Sequence, residues 1–102
     1  MQSQFQRTIE NNVEHVISLA MIPVLDSYDE SDVSDSTVQA AASLVIERTE
    51  GIIQGMYLMW CETNDVEQSA NVYREITEMA AEHYAVIKKT LKEKMPEQTT
   101  EE

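Results

Sequence analysis

Apolar side chains recur at steps of three and four residues along most of this 102-residue chain. That spacing aligns them on one face of an α-helix, whereas a half-buried strand would need strict alternation. The chain contains only two glycines and two prolines, so few positions interrupt the pattern. The sequence therefore predicts an all-α protein, and its length allows one domain with one modest core.

Three segments of the chain carry this periodicity. The first covers about residues 3–21, and Pro23 ends or kinks it because proline has no backbone N–H to donate. The second covers about residues 37–62 and the third about residues 65–94, after which Pro96 stops the helix. We expect a small helical bundle in which the second and third helices form a long antiparallel hairpin and the first helix packs across it.

The last residues of the chain differ from the rest, since they are polar and acidic and follow a proline. We therefore predict one helical domain at residues 1–95 and a disordered acidic tail at residues 96–102. A core of this size leaves little stability in reserve, so we also expect the chain to form a homo-oligomer.

The third predicted helix carries a second apolar line beside its main one. Its alternating steps of four and three are those of a coiled-coil seam, so we predict that the line forms an oligomer interface. The alternative is that the first and second helices cover one line each within a single chain. The second line consists of Val72, Ile76, Met79, His83 and Val86.

Gly51 and Gly55 are the only glycines, and both fall inside the second predicted helix. Each destabilises a helix interior by about 1 kcal/mol relative to alanine, so a compensating contact is expected. A helix surface without side chains lets another backbone approach, which predicts close helix packing at this place. The alternatives are a kink or break near Gly51 and a ligand against the bare backbone.

The 19 acidic residues outnumber the 7 basic ones and give a formal charge of −12. Such a field repels nucleic acid and anionic membrane surfaces, and it suits a basic surface on another protein. The alternative is that the charge only keeps a small apolar protein in solution. We predict a partner protein with a basic surface and no direct binding to nucleic acid or membrane.

The most acidic segment lies between the first and second predicted helices. It lacks the glycine and the terminal glutamate spacing of an EF-hand calcium loop. We assign it as the contact for the basic partner, with a plain solvated loop as the alternative. The acidic residues of that contact are Asp26, Asp29, Glu30, Asp32 and Asp35.

Residues that perform catalysis or bind metals occur only singly. Cys61 is the only cysteine, so it forms no disulfide within the chain, and no cation nearby in sequence activates it. Neither His15 nor His83 has a glutamate three residues before it, as the Glu-x-x-His motif of di-iron bundles requires. We therefore predict no catalytic residue, no metal site and no cofactor.

Paired carboxylates provide the enzymatic alternative. Glu47 with Glu50, and Glu75 with Glu78, form E-x-x-E pairs on successive predicted helices. They resemble the all-α nucleotide pyrophosphohydrolases, in which E-x-x-E followed by E-x-x-D holds Mg²⁺. The last position here is Glu rather than Asp, and Glu47 and Glu50 project away from the apolar face of their helix.

No apolar run approaches the roughly 20 residues of a membrane span, and the first residues lack the pattern of a signal peptide. We expect a soluble cytoplasmic protein. Its predicted function is that of a non-enzymatic acidic inhibitor that blocks a basic site on a partner, like phage or plasmid counter-defence proteins and immunity proteins. The alternatives are a structural or chaperone-like subunit that docks a partner helix, an oligomer that sequesters a small ligand, and a Mg-dependent nucleotide pyrophosphohydrolase.

Overall fold

The computed structural model describes residues 3–27 and 34–100, which form four α-helices. Helix α1 spans Ser3–Ser27, α2 spans Asp35–Asn64, α3 spans Ala70–Glu82 and α4 spans Tyr84–Thr100. No strand occurs within these two described ranges. The prediction of an all-α helical bundle is confirmed. Helix α2 is central, because it packs against each of the other three helices.

Helix α1 continues past Pro23, where the sequence predicted an end or a kink. The following residue, Val24, lies buried in the core, so one more turn removes apolar surface from water. That gain offsets the backbone hydrogen bond that proline cannot make. The Ser27 hydroxyl donates to the Pro23 carbonyl at 2.7 Å and satisfies an acceptor near the end of the helix.

Helix α2 is unbroken through Gly51, so the predicted alternative of a break there is wrong. The helix begins at a cap formed by Ser34, whose Oγ accepts from the Thr37 backbone N–H at 3.3 Å. It ends at Asn64, after which Asp65 adopts a left-handed backbone with φ 54°. A left-handed residue stops helical hydrogen bonding and turns the chain toward α3.

The prediction of one continuous third helix is wrong, because the segment is divided at His83 into α3 and α4. The backbone N–H of His83 donates to the Ala80 carbonyl at 3.2 Å, a bond to the third residue back that tightens the turn. Helix α4 then runs to Thr100, past Pro96, where the sequence predicted a stop. The division into a domain at residues 1–95 and a tail beyond it stays a prediction.

The break at His83 accompanies a change in the line of residues that the core covers. Helix α3 buries Val72, Ile76 and Ala80, whereas α4 buries Ile87, Leu91 and Met95. On one unbroken helix, at 100° per residue, the middle residues of these two sets, Ile76 and Leu91, would point about 60° apart. The interruption therefore lets each half present its own apolar line to the core.

The core consists of two groups of buried side chains. One group, the aromatic cluster, joins the first half of α1, the end of α2 and α3, and has Trp60 and Tyr73 at its edge. The other group, the aliphatic cluster, joins the second half of α1, the start of α2 and α4. The buried members of the aromatic cluster are Phe5, Ile9, Val16, Ile53, Tyr57, Cys61, Val72 and Ile76. Those of the aliphatic cluster are Ile17, Ala20, Met21, Val24, Val38, Ala41, Ala42, Val45, Ile87, Leu91 and Met95.

Thr49 lies between the two clusters, one turn from Val45 on one side and one turn from Ile53 on the other. Among the described residues, it is the buried polar residue of the core, and its hydroxyl has no hydrogen-bond partner there. A buried hydroxyl without a partner destabilises the folded state. The boundary between the two clusters therefore contains an unsatisfied polar group that neither cluster contains.

Candidate protein-binding site

The acidic segment predicted to contact a partner lies only partly within the described residues. Asp29, Glu30 and Asp32 fall outside them, and Asp26 is exposed near the end of α1. Asp35 instead forms ion pairs within the chain, at 3.7 Å from Lys88 Nζ and 3.4 Å from Lys92 Nζ. The charges of these two lysines hold the pKa of the Asp35 carboxyl below its ordinary value. Asp35 therefore connects α2 to α4, and the assignment of the segment to a partner stays a prediction.

A second set of carboxylates lines a groove between α1 and α3, which we call the acidic groove. Glu10 lies on the α1 side, and Glu75 and Glu82 lie on the α3 side. The groove has a volume of about 350 Å³, and Gln6, Val13, Met79 and His83 complete its lining. No lysine or arginine is among the lining residues, so the local field is negative.

The acidic groove follows from helical spacing on two helices. On α1, Gln6, Glu10 and Val13 follow steps of four and three, which places them on one flank. On α3, Glu75, Met79 and Glu82 follow the same steps. Each helix therefore contributes one apolar side chain and adjoining polar ones to the same groove.

An apolar groove lies between α1 and α4, where the acidic groove ends. It has a volume of about 500 Å³, and His83 lines both grooves at the junction of α3 and α4. Two large apolar side chains are exposed along it, Ile22 at 57% and Val86 at 63%. Glu14 and Lys94 are the charged residues of its lining. The two grooves together form a continuous surface that is acidic at one end and apolar at the other.

The predicted oligomer line is divided among three environments. Val72 and Ile76 are buried in the aromatic cluster, where the helices of the same chain already cover them. Met79 and His83 are half-buried beside the acidic groove, and Val86 is exposed in the apolar groove. The interface stays a prediction, but only the last three residues remain accessible to another molecule.

Within the described part of the chain, the two glycines do not pack against another helix, so the predicted close packing at this place stays a prediction. Gly51 and Gly55 are both exposed, and a Cβ added to either would meet no atom within 4 Å. The reason is that α1, α3 and α4 all pack against the opposite side of α2. The glycines therefore lie on the outer face of the central helix.

The paired carboxylates of the enzymatic alternative occupy separate places. Glu50 Oε1 accepts from Thr77 Oγ1 at 2.6 Å and so connects α2 to α3. Glu75 lines the acidic groove, and Glu47 lines a different groove beside α4. Glu78 is exposed on α3. Among the described residues, no group of three His, Cys, Asp or Glu side chains is placed to hold a metal ion.

The sequence carries a partial signal for the acidic groove on the third predicted helix. The glutamates at 75 and 82 flank Met79 at helical steps, but a pattern on one helix does not reveal the helix that faces it.

Over the part of the chain that the structure describes, no helix combines the length and apolar character needed to cross a membrane. No protein-family model, no curated protein and no solved structure matches this chain.

Proposed function

We propose that this chain is a non-enzymatic binding protein whose acidic groove takes a basic segment of another protein and thereby blocks it. One observation supports this function above the others. Carboxylates from two helices, Glu10 on α1 and Glu82 on α3, border the same groove, and apolar side chains lie between them. Such a surface attracts lysine and arginine side chains and also buries the apolar groups beside them.

The shape of the surface favours a helix as the bound segment. The two grooves follow α1 from Gln6 to Leu25, a length of about 29 Å at 1.5 Å per residue. A helix of about five turns would span it, with basic side chains toward the acidic end and apolar ones toward Ile22 and Val86. The predicted alternative of docking a partner helix thus becomes part of the same function.

Blocking follows when the bound segment is one that the partner uses to hold nucleic acid. Such segments carry clustered lysine and arginine that neutralise phosphates, and the groove offers carboxylates in place of those phosphates. This is the mode of action expected of a counter-defence or immunity protein of the kind that the sequence predicted.

A defined peptide tests the acidic end. The probe is a labelled amphipathic peptide of about 18 residues, built from lysine and leucine at helical spacing, and its Kd is measured by fluorescence anisotropy. We expect Glu10→Gln with Glu82→Gln to weaken binding by about tenfold, with less effect at high salt because salt screens the lost charges. The matched control is Glu47→Gln with Glu93→Gln, which removes the same charge from exposed positions outside the groove.

Two outcomes of this titration would overturn the proposal. Equal weakening by the groove variant and the control variant would mean that the peptide responds to net charge alone. Equal affinity for a scrambled peptide of the same composition, which lacks an apolar face, would mean that no helix is recognised.

A second variant tests the apolar end. Val86→Asp places a charge in the apolar groove at an exposed position, so the chain should still fold, and we expect peptide binding to weaken at all salt concentrations. Leu19→Asp is the control, because Leu19 is similarly exposed on α1 but does not line the groove. A peptide that binds both variants equally would restrict the site to its acidic end.

A further inference from the structure

The outer face of α2 is a second uncovered surface, and it shares no lining residue with either groove. Four large apolar side chains are exposed on it: Leu44, Ile52, Leu58 and Met59, the last at 68%. A monomer seldom exposes contiguous apolar groups along one helix unless another molecule covers them. A line of residues at alternating steps of four and three, as in a coiled-coil seam, runs along this face. It consists of Leu44, Arg48, Gly51, Gly55, Leu58 and Glu62.

The glycines of this line make no compensating contact with the described part of the chain. Each is less favourable than alanine in a helix interior, and no described atom lies within 4 Å of the space that a Cβ would occupy. The space above them is therefore open to a side chain from outside. Met59, one of the exposed apolar residues, lies on the same face and is large enough to fill such a space.

We propose that this face binds a second copy of the chain, with the two α2 helices antiparallel about a two-fold axis at Gly55. In that register Gly55 meets Gly55 of the second copy, and the bare backbones approach closely. Met59 lies over Gly51 of the second copy, and Ile52 packs against Leu58. A two-fold axis repeats each contact in both directions, so one face of one helix is complementary to itself.

Charge complementarity supports the same register. Arg48 lies opposite Glu62 of the second copy, and the symmetry produces this pair twice. Within one chain these two residues are about 21 Å apart along the helix axis and are too far apart to pair. Among the described residues, neither forms an ion pair. Their charges are therefore complementary only between two chains.

A charge exchange provides the decisive experiment. We expect native mass spectrometry of the full chain to show a dimer. Arg48→Glu and Glu62→Arg should each raise the dimer Kd by about tenfold, because each places like charges opposite one another twice. The double variant should return the Kd to within about threefold of the native value. Glu78→Arg is the control, since Glu78 is exposed on α3 and lies outside both the α2 face and the two grooves.

Two results would overturn the proposal. A monomeric native chain would exclude the dimer. A dimer whose Kd is not restored in the double variant would assign the interface to another surface. The result is independent of the peptide titration, because the acidic groove does not include any residue of the α2 face.

The glycines allow a second test that leaves the single chain intact. Gly51→Leu adds a side chain into open space, so we expect the helical content measured by circular dichroism to be unchanged while the dimer is lost. Ala85→Leu adds one carbon less at an exposed position of α4 and should leave the dimer unchanged. A Gly51→Leu variant that still dimerises with native affinity would contradict the proposed close approach.

Discussion

The two core clusters hold the same bundle together in different ways. In the aromatic cluster, large rings fill the space between helices, with Phe5 and Tyr57 centroids 5.2 Å apart and Tyr57 and Tyr73 centroids 5.2 Å apart. In the aliphatic cluster, the small side chains of Ala20, Ala41 and Ala42 are buried among larger aliphatic ones, and none of the buried members is aromatic. One end of the bundle is therefore packed around aromatic rings, and the other around alanine and aliphatic side chains.

The polar contacts also differ between the two ends of the bundle. At the aromatic end, the buried Tyr57 hydroxyl accepts from the Ser69 backbone N–H at 3.0 Å, where the chain enters α3. At the aliphatic end, the Asp35 ion pairs with Lys88 and Lys92 lie on the surface. A buried hydrogen bond is more costly to remove than a solvated ion pair, so the aromatic end should respond more strongly to substitution.

The largest effect should come from Phe5, the ring that contacts both Tyr57 and Trp60. Phe5→Ala should lower the free energy of unfolding by about 3–5 kcal/mol, since it removes buried area and leaves a cavity. Urea denaturation followed by circular dichroism measures this change. Ile22→Ala, at an exposed site of the same helix, should stay within about 0.5 kcal/mol. Similar losses for the two variants would mean that the aromatic cluster does not hold α1.

A smaller effect is expected from Tyr57→Phe, which keeps the ring and removes the hydroxyl. The Ser69 N–H then loses its acceptor in a partly buried place, and the free energy of unfolding should fall by about 1–3 kcal/mol. Thermal unfolding of the two proteins measures the difference. Tyr84→Phe, at the edge of the aliphatic cluster, is the comparison and should change stability less. An unchanged melting temperature for Tyr57→Phe would remove the distinction between the two ends.

The smallest effects are those of pH, and they should separate the ends. The pKa of Asp35 is lowered from 3.8, so its stabilisation is present above that pH and is lost as the pH falls through the lowered value. Burial raises the pKa of Tyr57 above 10.0, so its stabilisation is present below that pH and is lost as the pH rises through the raised value. Acid should weaken the aliphatic end, and alkali should weaken the aromatic end.

The free energy of unfolding of two variants, measured as a function of pH, tests the losses of stability in acid and in alkali, which form the acid and alkaline limbs of the curve. Asp35→Asn should flatten the acid limb of the native curve, and Tyr57→Phe should flatten the alkaline limb. An acid limb that persists unchanged in Asp35→Asn would assign it to other carboxylates.

Sequence reasoning was most successful for α2. The predicted range of 37–62 agrees with the observed Asp35–Asn64 to within two residues at each end. A long periodic segment that follows a polar loop leaves few other positions at which the helix could begin and end. It was least successful at His83, where histidine at a helical step provides no signal of a break. That break coincides with a rotation of the face that is buried on each side of it, which is a property of the packed bundle.

The acidic character of the surface could be predicted from the sequence, since the chain of 102 residues contains 19 acidic ones. The acidic groove could not, because it is lined by Glu10 of α1 and Glu82 of α3. Residues so far apart in the chain become neighbours only through the packing of α1 beside α3. The assignment of the acidic segment to a partner stays a prediction, and Asp35 of that segment pairs with lysines of α4.

The order of residues alone determined that this chain is helical and acidic, since periodicity and charge are properties of the chain itself. Only the tertiary structure decided that Val72 and Ile76 are buried while Val86 is exposed, and that the two glycines are exposed on the outer face of α2. The physical reason is that burial depends on which helices are neighbours. An amphipathic pattern shows that a face needs a partner, but it does not specify which partner covers it.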